Sequence, residues 1–317
     1  MALVSIVVPA FNEEEVLDTL YSAVTSVIDR IEHDFEFVFV DDGSNDRTPA
    51  IIRALAGRDP RVRGLVLSRN FGHESAIEAG LRASRGDAVI VMDADLQDGP
   101  EVLPQLVSAW EEGAGVAYVV RRGRKESLPL RAAFSVFYRF AGRIMSIDLP
   151  RDAGPFSLMD RAVVDALNAM PEKGRYFPGL RAFAGFPQVG IEAERHERLA
   201  GDTKYSLVKR SLGATNAIFP FSKIPLRLMI VAAALMALLA IAGLVWVLVG
   251  VIIGSSTARG WPSAMSIVFL VAAAIFFFMA ILGEYVGKIY DEVRARPNFV
   301  IGEQIGPQDP PSRGVAD

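Results

Sequence analysis

Two aspartates and a glutamine at every second position end an apolar run in the first third of the chain. Asp93, Asp95 and Gln97 follow residues 88–92, which are apolar and β-branched and are predicted to form a buried strand. If the backbone stays extended there, the alternation of side chains would point all three the same way, and they would offer oxygen atoms to Mg2+ or Mn2+. Such an ion can bridge phosphates and take up charge as a diphosphate leaves. The alternative is a solvated loop in which this spacing carries no chemistry.

The elements that position these acids alternate between strand and helix. Residues 35–40 form a strand that delivers Asp41 and Asp42 to the edge where Asp93 lies, and open α/β sheets bind ligands at that edge. The alternation predicts a parallel sheet with helices on both faces, a Rossmann-like nucleotide-binding half. The other predicted strands are residues 3–8, 62–68, 89–92 and 116–120, and the predicted helices are residues 12–31, 75–84 and 100–110 and one that starts near Thr48. No GxGxxG follows the first strand, so the dinucleotide fingerprint is missing.

Composition excludes several classes of site. The 317 residues contain no cysteine, which rules out disulfides and cysteine-ligated metals, and only three histidines, which makes a multi-histidine centre improbable. A net charge of -4 gives no reason to expect nucleic acid as a partner. The amino terminus lacks the basic and apolar regions of a signal peptide, so the first domain is expected to stay in the cytoplasm.

Apolar residues, 51% of the chain, are concentrated after Pro225. Residues 226–253 and 265–286 each exceed the roughly 20 apolar residues needed to span a bilayer, which predicts two transmembrane helices. Basic residues flank the pair on its outer sides, so both termini are expected in the cytoplasm. The predicted organisation is a cytoplasmic domain over residues 1–222, a membrane hairpin over 223–290 and a partly disordered tail over 291–317.

Two further segments, residues 130–147 and 205–221, combine aromatic and aliphatic residues with arginine and lysine at helical spacing. This pattern favours helices lying in the membrane interface. The alternative is that they pack on the domain's own sheet.

In this order the motifs resemble those of the family 2 glycosyltransferases, and within them the membrane-anchored polyisoprenyl-phosphate glycosyltransferases, the dolichol-phosphate mannose synthase type. The resemblance covers nearly all of residues 3–300, and the carriers are VVPAFNE at 7–13, VDDGS at 40–44, SRNFG at 68–72, MDADLQ at 92–97, GDTKYS at 201–206 and LGEYVG at 282–287. The resemblance implies a GT-A fold, inversion at the anomeric carbon and Mg2+ or Mn2+. NFGHESAI at 70–77 is similar to the branch that transfers 4-deoxy-4-formamido-L-arabinose to undecaprenyl phosphate.

Carried over by position, the resemblance implies roles for individual residues. Asp93, Asp95 and Gln97 would hold the metal and the diphosphate, and Asp95 would be catalytic. The remaining nucleotide-sugar contacts would be Pro9, Phe11, Glu13, Asp42 and Arg121. The acceptor phosphate would meet Arg124, Arg198 and Lys204, for which the alternative is ordinary surface charge.

One position departs from the family pattern. Many relatives have an acid after the glycine of DAGPFSL, residues 152–158, and that acid is a candidate base, whereas this chain has Pro155. Either Asp152 or another acid takes the role, or no strong base is needed. The second option is reasonable because a phosphate monoester is largely dianionic at neutral pH.

The sequence thus predicts a bacterial inner-membrane enzyme that moves one sugar from a nucleotide sugar, UDP-linked, to a polyisoprenyl phosphate. The resemblance also implies a homo-oligomer, a tetramer. Two other functions are considered: a processive polysaccharide synthase, which would carry a Q-x-x-R-W segment and more spans, and a non-catalytic nucleotide-binding membrane scaffold.

Overall fold

The computed structural model describes residues 1–97, 99–122, 153–173, 175–194, 224–253 and 260–307, and strand and helix alternate through its first half as predicted. The strands are β1 (Leu3–Ala10), β2 (Asp34–Asp41), β3 (Val62–Leu67), β4 (Ala88–Val91), β5 (Val116–Arg122), β6 (Ala153–Asp160), β7 (Gln188–Glu194) and β8 (Ile301–Ile305). The helices are α1 (Leu17–Ile28), α2 (Thr48–Arg58), α3 (His73–Ala83), α4 (Leu103–Glu111), α5 (Arg161–Ala169), α6 (Phe177–Phe183), α7 (Ile224–Ile252) and α8 (Trp261–Val293). A short 3-10 turn, Pro100–Val102, leads into α4.

All eight strands form one sheet, in the order β7-β5-β6-β4-β1-β2-β3-β8. β4, β1, β2 and β3 are parallel, as predicted, but β6 is antiparallel to both of its neighbours, β4 and β5, and β8 is antiparallel to β3. The predicted parallel arrangement is therefore confirmed for these four strands, and the whole sheet is mixed. Strand-helix alternation specifies direction only for the strands that it covers, and neither β6 nor β8 is among the predicted strands. The carboxyl ends of β1 to β5 still lie at one edge, because two reversals restore the direction of β5.

Helices cover both faces of the sheet. Ile6 and Val8 of β1 pack in one core with Leu20 of α1 and residues of α2 and α4. On the opposite face α3 lies so close to β1 that a Cβ on Gly80 would be 2.2 Å from Val7 Cγ1. The alternation of side chains along β1 thus sends consecutive residues to different helical layers.

The chain divides into two compact units, which are described separately. The first contains the sheet and includes the residues after Pro297, and the second contains α7 and α8. The predicted disorder of the tail does not hold for β8, which pairs with β3. Ser68 N donates to Val300 O at 2.9 Å, and Arg53 makes two hydrogen bonds to Glu303, so long-range contacts order this segment.

Within the described residues of the second unit, one stretch, Leu270–Val293, is long and apolar enough to cross a bilayer, and none of it is buried. The apolar stretch found in α7, Val231–Gly243, is shorter than a span, so the predicted hairpin of two spans remains a prediction. Glu284 has the partner that its spacing suggests, since Lys288 Nζ lies 3.9 Å from its Oε1. The two predicted interfacial segments, residues 130–147 and 205–221, lie outside the described residues.

Candidate active site at the carboxyl edge of the sheet

The loop after β1 is bound to the loop after β2 by backbone N–H groups. Asn12 N donates to Ser44 Oγ at 2.8 Å and Glu13 N donates to Thr48 Oγ1 at 2.9 Å. Glu14 N and Asn45 N make two further bonds across the same gap. The predicted helix from Asn12 is therefore wrong in its start: Asn12 has a left-handed φ of 55°, these N–H groups have partners outside a helix, and α1 begins at Leu17.

Asp42 joins the end of β2 to the loop after β3. Its Oδ1 accepts Phe71 N at 2.7 Å and its Oδ2 accepts Gly72 N at 2.9 Å, and the side chain is 3% exposed. Gly43 follows with φ of +69°, and a Cβ there would lie 2.4 Å from the carbonyl carbon of Arg69. Only glycine allows this approach. Asp42 thus has a structural contact that the sequence did not reveal, and its nucleotide role stays a prediction.

The acidic run after β4 turns instead of continuing as a strand. β4 ends at Val91, Leu96 has a left-handed φ of 53°, and Gln97 N donates to Asp95 Oδ1 at 3.2 Å. The condition for three aligned side chains, an extended backbone through Gln97, is therefore not met, and the alternation argument does not hold. Asp93 and Asp95 are half-buried and Gln97 is buried, so the run is enclosed at the sheet edge. Their metal roles stay predictions.

His73, the first residue of α3, contacts this acidic run. Its Nε2 lies 3.3 Å from Asp93 Oδ1, and its charge also acts on the carboxyls of Asp42 and Glu74. The imidazole therefore lies among three acids contributed by three different elements. Sequence reasoning did not assign it a role, although it directly follows the motif SRNFG at 68–72.

Glu74 is a second residue that sequence reasoning missed. Its Oε2 accepts Phe177 N at 3.1 Å, which ties the start of α3 to the start of α6. Burial raises the pKa of the Glu74 carboxyl, while His73 opposes the shift. Glu74 is therefore a partly enclosed carboxyl at the same end of the sheet as Asp93.

Two other acids at the edge are desolvated in the same way. Burial raises the pKa of Asp41, against hydrogen bonds from Ser44, and raises the pKa of Asp42, against the N–H groups of Phe71 and Gly72. An enclosed group of carboxyls favours a ligand that brings positive charge. It also strengthens the electrostatic interactions made there, since the local dielectric is low.

Several predicted residues lie at the same edge. Pro9 is buried near the end of β1, Phe11 is 41% exposed beyond it, and Glu13 is half-buried. Arg121 is the last residue but one of β5, whose carboxyl end lies at this edge, so its backbone is placed as predicted. Four other predicted site residues lie outside the described residues, namely Arg124, Asp152, Arg198 and Lys204.

The residues present suit a divalent cation that arrives with phosphate. No three histidine or acidic side chains gather as a metal site in the part of the chain that the structure describes. However, Mg2+ is commonly held by one or two carboxylates together with substrate phosphates and water. Asp93 and Asp95 supply two carboxylates of that kind, which fits an ion whose other ligands come from a diphosphate.

Comparison with known proteins agrees with this geometry. The model of the family described as glycosyl transferase family 2 matches residues 5–167, which include β1 to β4 and the acidic run. An uncharacterized glycosyltransferase of Bacillus subtilis is 40% identical over 303 residues, 95% of this chain and 94% of that protein. The similarity therefore extends over both units.

Other relatives carry a more specific name. A prophage bactoprenol glucosyl transferase homolog of Escherichia coli is 36% identical, over 94% of this chain and 98% of that protein. The bactoprenol glucosyl transferase of Shigella phage SfX is 35% identical, over 94% of this chain and 98% of that protein. One similar solved structure is glucosyl-3-phosphoglycerate synthase of Mycobacterium tuberculosis, crystallised with Mn2+, UDP-glucose and phosphoglyceric acid. It is 21% identical, the match covers 68% of this chain and 78% of that chain, and the TM-score is 0.47.

Proposed function

We propose that this chain transfers one glucosyl residue from a UDP-sugar to a polyisoprenyl phosphate. The premise is that the chain belongs to glycosyl transferase family 2 and is a glycosyltransferase with a GT-A type mixed sheet. The observation that carries the proposal is that one chain combines the acidic sheet edge with a helix of membrane-spanning composition. The relatives named for bactoprenol glucosylation match the chain over both parts. Their names favour glucose over 4-deoxy-4-formamido-L-arabinose.

The donor is proposed to bind across the carboxyl edge. Pro9, Phe11 and Glu13 would hold the base and ribose, and the partly exposed ring of Phe11 offers a stacking surface beside the end of β1. Asp42 would act there by holding the Phe71–Gly72 turn in place. Arg121, at the end of β5, would contact the sugar or diphosphate.

The chemistry needs positioning more than proton transfer. An oxygen of the acceptor phosphate attacks the anomeric carbon, the bond from that carbon to the diphosphate breaks, and UDP leaves with the electron pair. The attacking phosphate is largely dianionic at neutral pH, so Pro155 in place of an acid does not block the reaction. The residues of this chain hold the two substrates in line and exclude water, which supplies much of the rate.

Asp93 and Asp95, with Gln97, would hold the proposed Mg2+ or Mn2+. When bound, the ion would neutralise charge on the leaving diphosphate. His73 Nε2 lies 3.3 Å from Asp93 Oδ1, so the imidazole would help to orient that carboxylate toward the ion.

The proposal places the enzyme at the bacterial inner membrane, with its catalytic unit and both termini in the cytoplasm. A lipid phosphate lies at the headgroup level, so a catalytic unit attached to membrane helices is held near its acceptor. The acceptor phosphate is proposed to meet Arg124, Arg198 and Lys204, and Asp152 is a candidate base. A homotetramer is proposed from the family resemblance.

The test is transfer of labelled glucose from UDP-glucose to undecaprenyl phosphate by the purified full-length chain. Asp95→Asn is expected to reduce transfer by at least about 100-fold while the protein stays folded. Asp18→Asn, an exposed aspartate on α1, is the matched control and should retain activity. Binding of UDP-glucose without any lipid product would contradict the proposal and support a scaffold, and a polymeric product would support a processive synthase.

A further inference from the structure

Arg181, on α6, carries a buried guanidinium group that the described residues do not satisfy. Its side chain is 0% exposed, and its Nε, Nη1 and Nη2 make no hydrogen bond within the part of the chain that the structure describes. Burial lowers the pKa of Arg181 to about 10, so the group is still a cation at neutral pH. A buried cation without a partner is strongly unfavourable for folding.

The described titratable groups around Arg181 are phenols, which carry no negative charge at neutral pH. Its Cζ lies 5.2 Å from the centre of the Tyr118 ring, and Tyr118 and Tyr176 are the titratable groups whose charges act on it. No carboxylate among the described residues reaches it. A guanidinium with two phenolic O–H groups offers several hydrogen atoms and one positive charge, which complements an anion with several oxygens, such as phosphate.

Arg175, six residues earlier, is a buried arginine that has an acid as its ion-pair partner. Arg175 Nη1 lies 3.1 Å from Glu78 Oε1, and Glu78 also accepts hydrogen bonds from Arg82 and from Asn298. The same region thus pairs one guanidinium with a buried acid and leaves the other without one. The contrast indicates that the partner of Arg181 lies outside the described residues, and an anionic ligand would supply it.

Arg181 is also close to the candidate active site along the chain. α6 begins at Phe177, one helical turn before Arg181, and Phe177 N donates to Glu74. The charges of His73 and Asp93 act on the carboxyl of Glu74. Tyr118 is on β5, which ends at the same sheet edge. A phosphate bound between the two tyrosines would therefore lie near the reacting groups.

We propose that Arg181, with Tyr118 and Tyr176, forms a binding site for a phosphate group of a substrate. Both tyrosines are half-buried, whereas Arg181 has no exposed surface, so the phosphate reaches the guanidinium between the rings when one of them rotates. The assignment of this phosphate to the donor or to the lipid acceptor rests on the proposed function. The binding of a phosphate at Arg181 does not depend on that function.

The test measures binding and stability, without transfer. The full-length chain in detergent micelles is unfolded by heat alone and with UDP and Mg2+, farnesyl phosphate or inorganic phosphate. Arg181→Met is expected to unfold at the same or a higher temperature than wild type without ligand, because it removes an unpaired buried charge. It should bind UDP or farnesyl phosphate at least about tenfold more weakly.

Arg175→Met is the matched control. It should unfold at a lower temperature than wild type, since it takes a cation from buried Glu78, and it should keep the ligand-induced shifts. Tyr118→Phe and Arg181→Lys keep the bulk or the charge, so they test the site if Arg181→Met does not fold. Each should weaken binding of the same ligand.

The outcomes separate the possibilities. Weakened binding of UDP assigns the site to the donor, and weakened binding of farnesyl phosphate assigns it to the acceptor. If Arg181→Met is destabilised as much as Arg175→Met, the guanidinium has a partner within the protein and the proposal is wrong. It is equally wrong if wild type and all Arg181 variants respond alike to UDP and to farnesyl phosphate, whatever inorganic phosphate does.

Discussion

Gly43 holds the loops after β2 and β3 together, and its replacement by alanine tests how the site is built. At φ of +69° an alanine is strained by about 1–2 kcal/mol. Its Cβ would lie 2.4 Å from the carbonyl carbon of Arg69, whereas ordinary contact begins near 3.4 Å, so the backbone there must move by about 1 Å.

A movement of that size reaches the next two residues. Asp42 accepts Phe71 N at 2.7 Å and Gly72 N at 2.9 Å, and lengthening each by about 1 Å takes both beyond hydrogen-bond range. Hydrogen bonds to a charged group contribute about 1.5–3 kcal/mol each, so the loss of both bonds together with the backbone strain is expected to destabilise the protein by about 4–8 kcal/mol. His73 follows this turn, so its contact with Asp93 shifts as well.

The assays are urea unfolding of the full-length chain in detergent and glucosyl transfer at saturating substrates. Transfer is expected to fall by about 100-fold even where Gly43→Ala remains folded, because misplacement by about 1 Å has effects of that order. Gly57→Ala is the control: Gly57 is in α2 with no atom within 4 Å of an added Cβ, so stability should rise by up to about 1 kcal/mol. A Gly43→Ala protein as stable and as active as wild type would refute this account of the site.

Three further changes follow from single contacts. His73→Gln, which can still donate to Asp93, should keep much more transfer activity than His73→Ala. A titration of activity with Mn2+ should show the larger loss of apparent metal affinity in His73→Ala, and equal values for the two variants would contradict an orienting role. Glu74→Gln should be more stable than wild type at neutral pH. The raised pKa of Glu74 means that the folded state holds the proton more tightly, so wild type loses stability as pH rises above 4.5 and the variant does not. Urea unfolding at several pH values would show a difference in stability that grows with pH. Asn298→Ala should lower the free energy of unfolding by about 1–3 kcal/mol, because it removes the donor to Oε2 of buried Glu78; an unchanged unfolding midpoint would show that the segment before β8 does not stabilise the sheet.

Much of the catalytic unit could be predicted from local pattern. Apolar runs of strand length alternate with helical patterns from β1 to α4, and the acids at the ends of β2 and β4 mark the ligand-binding edge. These features follow from periodicity, since the repeat of apolar residues decides both the type of element and the face that it buries. This is why the pattern places Asp42, Asp93 and Asp95 at one edge, and their roles there stay predictions.

Other features depended on partners distant in sequence. The N–H groups of Asn12 and Glu13 donate to residues more than 30 positions away, so α1 begins later than the sequence predicts. Val300 and Glu303 make contacts with β3 and α2, and these contacts order a segment predicted to be disordered. A local pattern carries no information about such partners, because it describes only neighbours along the chain.

The sequence by itself determined the alternation of elements, the edge at which the acids lie and the apolar character of the residues after Pro225. Only the tertiary structure decided the reversed directions of β6 and β8, the contact of His73 with Asp93 and the burial of Arg181 without a protein partner among the described residues. The physical reason is that periodicity is set by neighbouring residues, whereas hydrogen bonding and desolvation depend on which distant groups the packed chain brings together.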